Sequence, residues 1–312
     1  MKVTDSTVTV PNSPLPTPEH LLERLESFYD AVPRNAARAE EHGSLTLFVR
    51  EGSGWPFYAR PTRGCAGSIQ AADVAKVRAR QRKLGVPEAF EWVAETSPTM
   101  RGAIEEAGLE VHEHPLMVLV APTAEAAGPL DTERVSIRVL NPDDPALAAA
   151  LALPHVAFAE PGTQVGSAGP EELAAAVAQR AGDGSLERTA GRIRGGLAGV
   201  AAAIEDRVVL CSGQHNQVGT VSEIVAVGTL PSARRRGLGL AVTRALVDDA
   251  RSRGVETVFL SADDDSVARL YTRLGFRRVG TALVAEAPVT LSLPCPSLCD
   301  PTPSQADLPA QG

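Results

Sequence analysis

Between Glu223 and Gly239 the chain reads EIVAVGTLPSARRRGLG. A β-branched run through Ile224, Val225, Val227 and Thr229 breaks at Pro231-Ser232. It then delivers Arg234, Arg235, Arg236, Gly237, Leu238 and Gly239 into LAVTRALVDDARSRG. Val242, Ala245, Leu246 and Ala250 recur there at helical spacing, so a helix is expected. A strand feeding a glycine-rich basic turn and then a helix start makes an anion cradle. The first N–H groups of a helix lack internal partners. Glycine lets backbone approach a phosphate closely, and guanidinium groups suit phosphate oxygens. Two titratable side chains flank the cradle. Glu223 lies inside an apolar strand, where burial raises a carboxyl pKa and creates a candidate base. Tyr271, in LYTRLGF, is a phenol protonated at neutral pH and able to donate. The plainer readings are a strand-end glutamate facing solvent and a tyrosine anchoring a helix.

Arg234-x-x-Gly237-x-Gly239 after VGTLP resembles the acyl-CoA signature of the GNAT N-acetyltransferases. Leu270-Tyr271-Thr272-Arg273-Leu274-Gly275-Phe276 resembles the same family's LY-x-x-LGF segment, and the strand ETVFLSA lies between the two in family order. The resemblance implies acetyl-CoA as donor and direct transfer to a primary amine, of a small molecule, in a ternary complex. It places backbone groups of Val227, Gly228 and Thr229 along the pantetheine arm as an added strand, with the Val227 N–H on the thioester carbonyl. It gives Tyr271 the leaving sulfur and Glu223 the amine proton. The strand is bulged in that family, and a glycine at 228 suits a bulge. His155, in an acceptor-side loop, is a competing base. The family's common asparagine seven residues before the tyrosine is here Asp264, an equally good helix cap. Two other functions fit the same residues: a non-catalytic acyl-CoA-binding regulatory protein, and transfer to a protein N-terminus or lysine.

The elements that must position these residues fall into two sets. The chain has 312 residues, 44% hydrophobic and 22% charged, enough for one or two domains. EEAGLEV at 105–111 lies over TRLGFRRV at 272–279 when Gly108 is matched to Gly275, an offset of 275 − 108 = 167. With that offset AFEWVAE matches TVFLSAD without a gap. The expected architecture is α+β: two tandem GNAT-like domains, each a mixed, mostly antiparallel sheet flanked by helices, packed as an internal pseudo-dimer. The expected boundaries are a disordered arm at 1–16, a degenerate domain at 17–122, a linker at 123–133, a catalytic domain at 134–292 and a disordered tail at 293–312. The first copy carries Arg60, Arg63, Gly64 and Gly67 without the second copy's spacing, and has Ile104 where the second has Tyr271. It is expected to pack or frame rather than catalyse.

The order of elements follows from periodicity. Helices are expected at 19–31, 71–84, 98–107, 143–153 and 171–180, and strands at 44–49, 55–59, 90–93, 109–120, 135–140, 197–205, 208–213 and 221–230. A glycine-rich loop is expected at 155–169, a turn at 215–219, and two closing strands, FRRVGTALVAE and APVTLSLP. A net charge of −8 argues against a nucleic-acid partner. No apolar run approaches a membrane span, and the N-terminus lacks a signal-peptide core, so a cytoplasmic protein is expected. Cys65, Cys211, Cys295 and Cys299 have no second Cys/His pair at metal-ligand spacing and are expected to be free thiols, with no metal.

Overall fold

The computed structural model describes residues 17–52, 56–65, 67–120 and 134–288. The first half runs α1 (Pro18–Arg34), β1 (Ala37–His42), β2 (Leu45–Arg50), β3 (Ala59–Pro61), α2 (Ala71–Leu84), β4 (Ala89–Val93), α3 (Met100–Glu106) and β5 (His112–Leu119). The second half runs β6 (Val135–Val139), α4 (Leu147–Ala159), α5 (Pro170–Arg180), α6 (Ser185–Arg194), β7 (Ala198–Glu205), β8 (Val208–Val218) and β9 (Val221–Thr229). A 3-10 turn (Pro231–Ala233) then leads to α7 (Leu238–Ser252), β10 (Thr257–Ser261), α8 (Asp265–Thr272) and β11 (Phe276–Glu286). The arm at 1–16, the linker at 123–133 and the tail at 293–312 lie outside the described residues.

The repeat is visible in the geometry. Gly108 and Gly275 both take positive φ, 81° and 95°, at the ends of α3 and α8, and each turns the chain into the last strand of its half. Those last strands are exchanged. The strands among the described residues form one eleven-stranded sheet in the order β1-β2-β3-β4-β11-β5-β10-β9-β8-β7-β6. Outward from the β11–β5 pair the two sides match strand for strand, and β6 is an additional edge on the second side. The parallel β3–β4 pair corresponds to the parallel β9–β10 pair. β5 therefore pairs with β10, β11 pairs with β4, and the halves share one continuous sheet instead of packing two separate ones. α1 covers this crossing. Phe28 and Tyr29 meet Phe259 of β10 edge-to-face, at 5.0 and 5.4 Å between ring centroids.

Several expected elements change. β1, ARAEEH, carries no apolar alternation and escapes pattern reading; it is an edge strand held by β2 and by Arg80 on Glu40. α6 also lies where the sequence suggested no element. α4 does not stop near 153 but continues to Ala159 through Pro154. Proline at 154 removes the donor for the Ala150 carbonyl, and the Ser212 hydroxyl donates to that oxygen instead, at 2.7 Å. The expected turn at 215–219 is mostly strand: β8 reaches Val218 because His215 finds partners in Ser222 and Asp249. FRRVGTALVAE is one strand with a register shift between Arg278 and Gly280. APVTLSLP falls mainly outside the described residues.

Candidate active site

β9 is where the sheet opens. Its parallel pairing with β10 runs Thr257↔Val221, Val258↔Ser222 and Phe259↔Glu223, and stops there. On its other edge, Ser212 of β8 faces Gly228 while Gln214 faces Val225, so Ala226 and Val227 stand opposite Gly213 alone. This is the bulge expected near Gly228, but Ala226 is the residue that takes the left-handed conformation, with φ +54°. Gly228 answers a packing demand. A Cβ there would come within 2.9 Å of the Ala157 Cβ and 3.3 Å of Leu153 Cδ2 on α4. The result is a fork with Glu223 at its crotch. From Ile224 to Thr229, β9 lines a cavity of about 1300 Å³ instead of pairing with β10.

The cradle opens onto the same cavity, which Arg234, Arg235, Arg236, Gly237, Leu238 and Gly239 all line. Arg235 and Gly237 both take positive φ, 68° and 77°, which turns the chain sharply into α7. A Cβ on Gly239 would touch only Thr229 Oγ1, at 3.8 Å, so the protein's own packing does not require glycine there. The arginines divide their work. Arg234 donates to the backbone carbonyls of Ala157, Glu160 and Gln164, latching the loop after α4 onto the turn. Arg236 pairs with Glu205 of β7 at 2.8 Å. Arg235 is exposed at the mouth. The helix start and Arg235 are thus the parts of the cradle not used to build it.

Tyr271 is half-buried on α8, edge-to-face with Phe276 at 6.0 Å. Burial, the nearby Cys211 and a hydrogen bond with Thr243 set its pKa, and the net effect is well upward. Thr243, beside it, donates to the Gly239 carbonyl at 2.8 Å. Glu223 is pushed up to about 8, first by burial and then by repulsion from Glu91, against a hydrogen bond from Tyr29 and the charge of Arg60. Glu91, on β4, is pushed up to about 7 by burial, with Glu286 adding repulsion and Arg60 and a Tyr58 hydrogen bond opposing.

The structure thus brings all eleven sequence-identified residues to one cavity, whose wall also includes Asp264 but not His155 or Cys211. His155 sits on α4 beside Arg180 and Asp183, off the cavity wall, its pKa lowered mainly by burial. Cys211 is buried against Thr229, and burial lifts its thiol to about 12, which excludes a thiolate. Asp264 caps α8 by accepting from the Val267 N–H at 2.8 Å. No group of residues able to hold a metal ion occurs among the described residues. No helix among them is long and apolar enough to cross a membrane. Sequence reading missed the wall supplied by the first half: Tyr29, Tyr58, Arg60 and Glu91. The signal was present in AFEWVAE, a glutamate inside an apolar strand, the same feature that singled out Glu223.

The "FR47-like protein" family model matches residues 206–284, which hold the fork, the cradle and Tyr271. A mycothiol acetyltransferase of Parafrankia sp. (strain EAN1pec) is 42% identical over 64 residues, 20% of this chain and 20% of that protein. One from Thermobispora bispora is 44% identical over 62 residues, covering 19% and 21%. The chain thus matches about a fifth of the length of these curated relatives. A solved GCN5-related N-acetyltransferase from Kribbella flavida superposes over 86% of this chain and 96% of its own, with TM-score 0.60 and 20% identity, a likeness of fold. Over residues 206–284 this chain is similar to the FR47-like family, and over most of its length it shares the fold of that GCN5-related N-acetyltransferase.

Proposed function

We propose that the protein is an acetyl-CoA-dependent N-acetyltransferase that moves an acetyl group to a primary amine of a small molecule by direct transfer. The observation that carries this reading is the convergence of four parts on one cavity: the open edge of β9, the start of α7, Glu223 and Tyr271. The mycothiol acetyltransferase relatives support the same chemistry over the matched segment. Each part answers a need of the reaction. The unpaired edge at Val227, Gly228 and Thr229 offers N–H and C=O groups to an extended amide-containing arm, as an added strand would. The N–H groups at the start of α7 and Arg235 suit a pyrophosphate. A β9 N–H at the bulge can hold a carbonyl oxygen as charge develops on it.

The proton movements follow from the chain's own groups. An ammonium acceptor gives up two protons on becoming an amide. Glu223, with a pKa near 8, takes the first and releases it to solvent. The second leaves the nitrogen once the C–N bond has formed; Tyr271 donates to the departing thiolate as the C–S bond breaks, and that second proton, passed through Glu223 and solvent, restores the phenol. The raised phenol pKa keeps its proton in place until it is needed. The test is thiol release from acetyl-CoA with a panel of primary amines, beside calorimetry of acetyl-CoA binding. Amine-dependent release supports the enzyme. Binding without release would favour the acyl-CoA-binding regulatory alternative, and release only with a peptide N-terminus or lysine would favour a protein acceptor.

A further inference from the structure

The cavity has a second wall that the donor side of the reaction does not use. α1, β3 and β4 of the N-terminal half bring Tyr29, Tyr58, Arg60 and Glu91, and the exchanged β11 adds Glu286. Phe57 lines the same space. Arg60 is only 1% exposed and is held by Glu26 at 2.6 Å, so its charge is already matched. It also lies 5.0 Å from the Tyr29 ring centroid. Its Nε, buried, has no hydrogen-bond partner among the described residues. The carboxyls of this wall therefore exceed the cations available to them. Glu91 and Glu223 line the same cavity although β11, β5 and β10 lie between their strands, and the Glu91 charge adds to the upward push on Glu223.

We propose that Glu91, supplied by the N-terminal half, is the specificity-determining residue of the acceptor site, and that the acceptor enters as a primary ammonium between Glu91 and Glu223 with its carbon skeleton against Tyr29 and Tyr58. The proposal deepens the acetyl-transfer reading and takes from it the role of Glu223. Two carboxyls lining one half-buried cavity are poorly solvated, and a shared cation relieves both. Aromatic faces add attraction for an organic cation. Glu91 keeps the nitrogen in place while Glu223 deprotonates it. The degenerate copy thus has work at the site without binding donor: its Glu91 is made available by the sheet that strand exchange builds.

The experiment uses the full chain with n-butylamine as probe and 1-butanol as its neutral counterpart. In Glu91→Gln the KM for n-butylamine should rise about 10- to 100-fold, the loss of one charge-assisted contact, with the KM for acetyl-CoA unchanged. Glu91→Asp should recover part of the loss. 1-Butanol should not compete, while other alkylammonium ions should. An unchanged amine KM in Glu91→Gln, or equal rises in both KM values, overturns the proposal. A binding arm works without turnover: n-butylammonium should raise the melting temperature of the wild type and not that of Glu91→Gln, and absence of the wild-type shift also overturns it. A Glu91-dependent shift in a protein that releases no thiol would uphold the ammonium site and defeat the acetyl-transfer reading instead.

Discussion

At the scale of single residues the site turns on two protons. Tyr271→Phe keeps the ring packed on Phe276 and deletes the donor. It should lower kcat by about 10²–10⁴-fold while acetyl-CoA affinity by calorimetry stays within error. Glu223 makes two predictions of opposite sign. As a base it must be ionised, so the rate should climb with pH until about 8, and Glu223→Gln should remove that limb from the profile. As a buried group with a raised pKa, it binds its proton more tightly folded than unfolded. Its contribution is favourable below the ordinary carboxyl range and is lost as pH rises toward about 8. Glu223→Gln should therefore raise the melting temperature by a few degrees at alkaline pH and little at pH 4, read by calorimetric scans. A flat difference between the two pH values would mean that the carboxyl is solvated. Gly239 separates fold from ligand. A Cβ there would meet only Thr229 Oγ1, at an ordinary contact distance of 3.8 Å, so Gly239→Val should leave stability nearly intact and abolish acetyl-CoA binding.

At the scale of elements, the fork in β9 is held open from behind. α4 presses Ala157 and Leu153 onto Gly228, and the Arg234 latch fixes the end of that helix to the cradle. The helix survives its internal proline because Ser212 satisfies Ala150. Ser212→Ala should strand that buried carbonyl and cost about 1–3 kcal/mol in urea unfolding. A loss nearer zero would place a water at the kink. On the other side of the sheet, Ser222, His215 and Asp249 form a hydrogen-bonded series at 2.9 and 2.8 Å that has the residue types of a hydrolase triad. Ser222 and His215 are fully buried and outside the cavity lining, and Ser222 donates to the Asn216 carbonyl. The series is a clamp of β8 and β9 on α7, and it accounts for the strand continuing where a turn was expected.

At the scale of the whole molecule, exchange of the last strands makes the halves mutually dependent. A fragment of residues 134–288 would lose β5, leaving β10 with an unpaired edge and β11 without its neighbours β4 and β5. It would also lose Tyr29, which packs on Phe259 and bonds to Glu223. Expressed alone it should aggregate or remain unfolded by circular dichroism, and adding residues 17–120 in trans should rescue solubility. An active, soluble 134–288 fragment would show that the exchange is dispensable.

What the chain determines by itself is local. Glycines at 108 and 275, the proline and glycines around the cradle and the apolar periodicity of α7 specify backbone conformation within a few residues, so the repeat, the turn and Tyr271 could be read directly. A carboxylate in an apolar strand was legible as a candidate base for the same reason. Partnership was not legible. That β5 pairs with β10 and not with a strand of its own half, that Arg234 and Arg236 serve the protein before any phosphate, and that Glu91 shares a cavity with Glu223 depend on the meeting of segments far apart in the sequence, at least 31 positions in the case of Arg236 and Glu205. The pattern within a strand fixes which face is apolar but not which strand lies beside it, since backbone hydrogen bonds are the same whatever the sequence. Only the tertiary structure, by choosing the exchange, decided that the site would have a wall from each half.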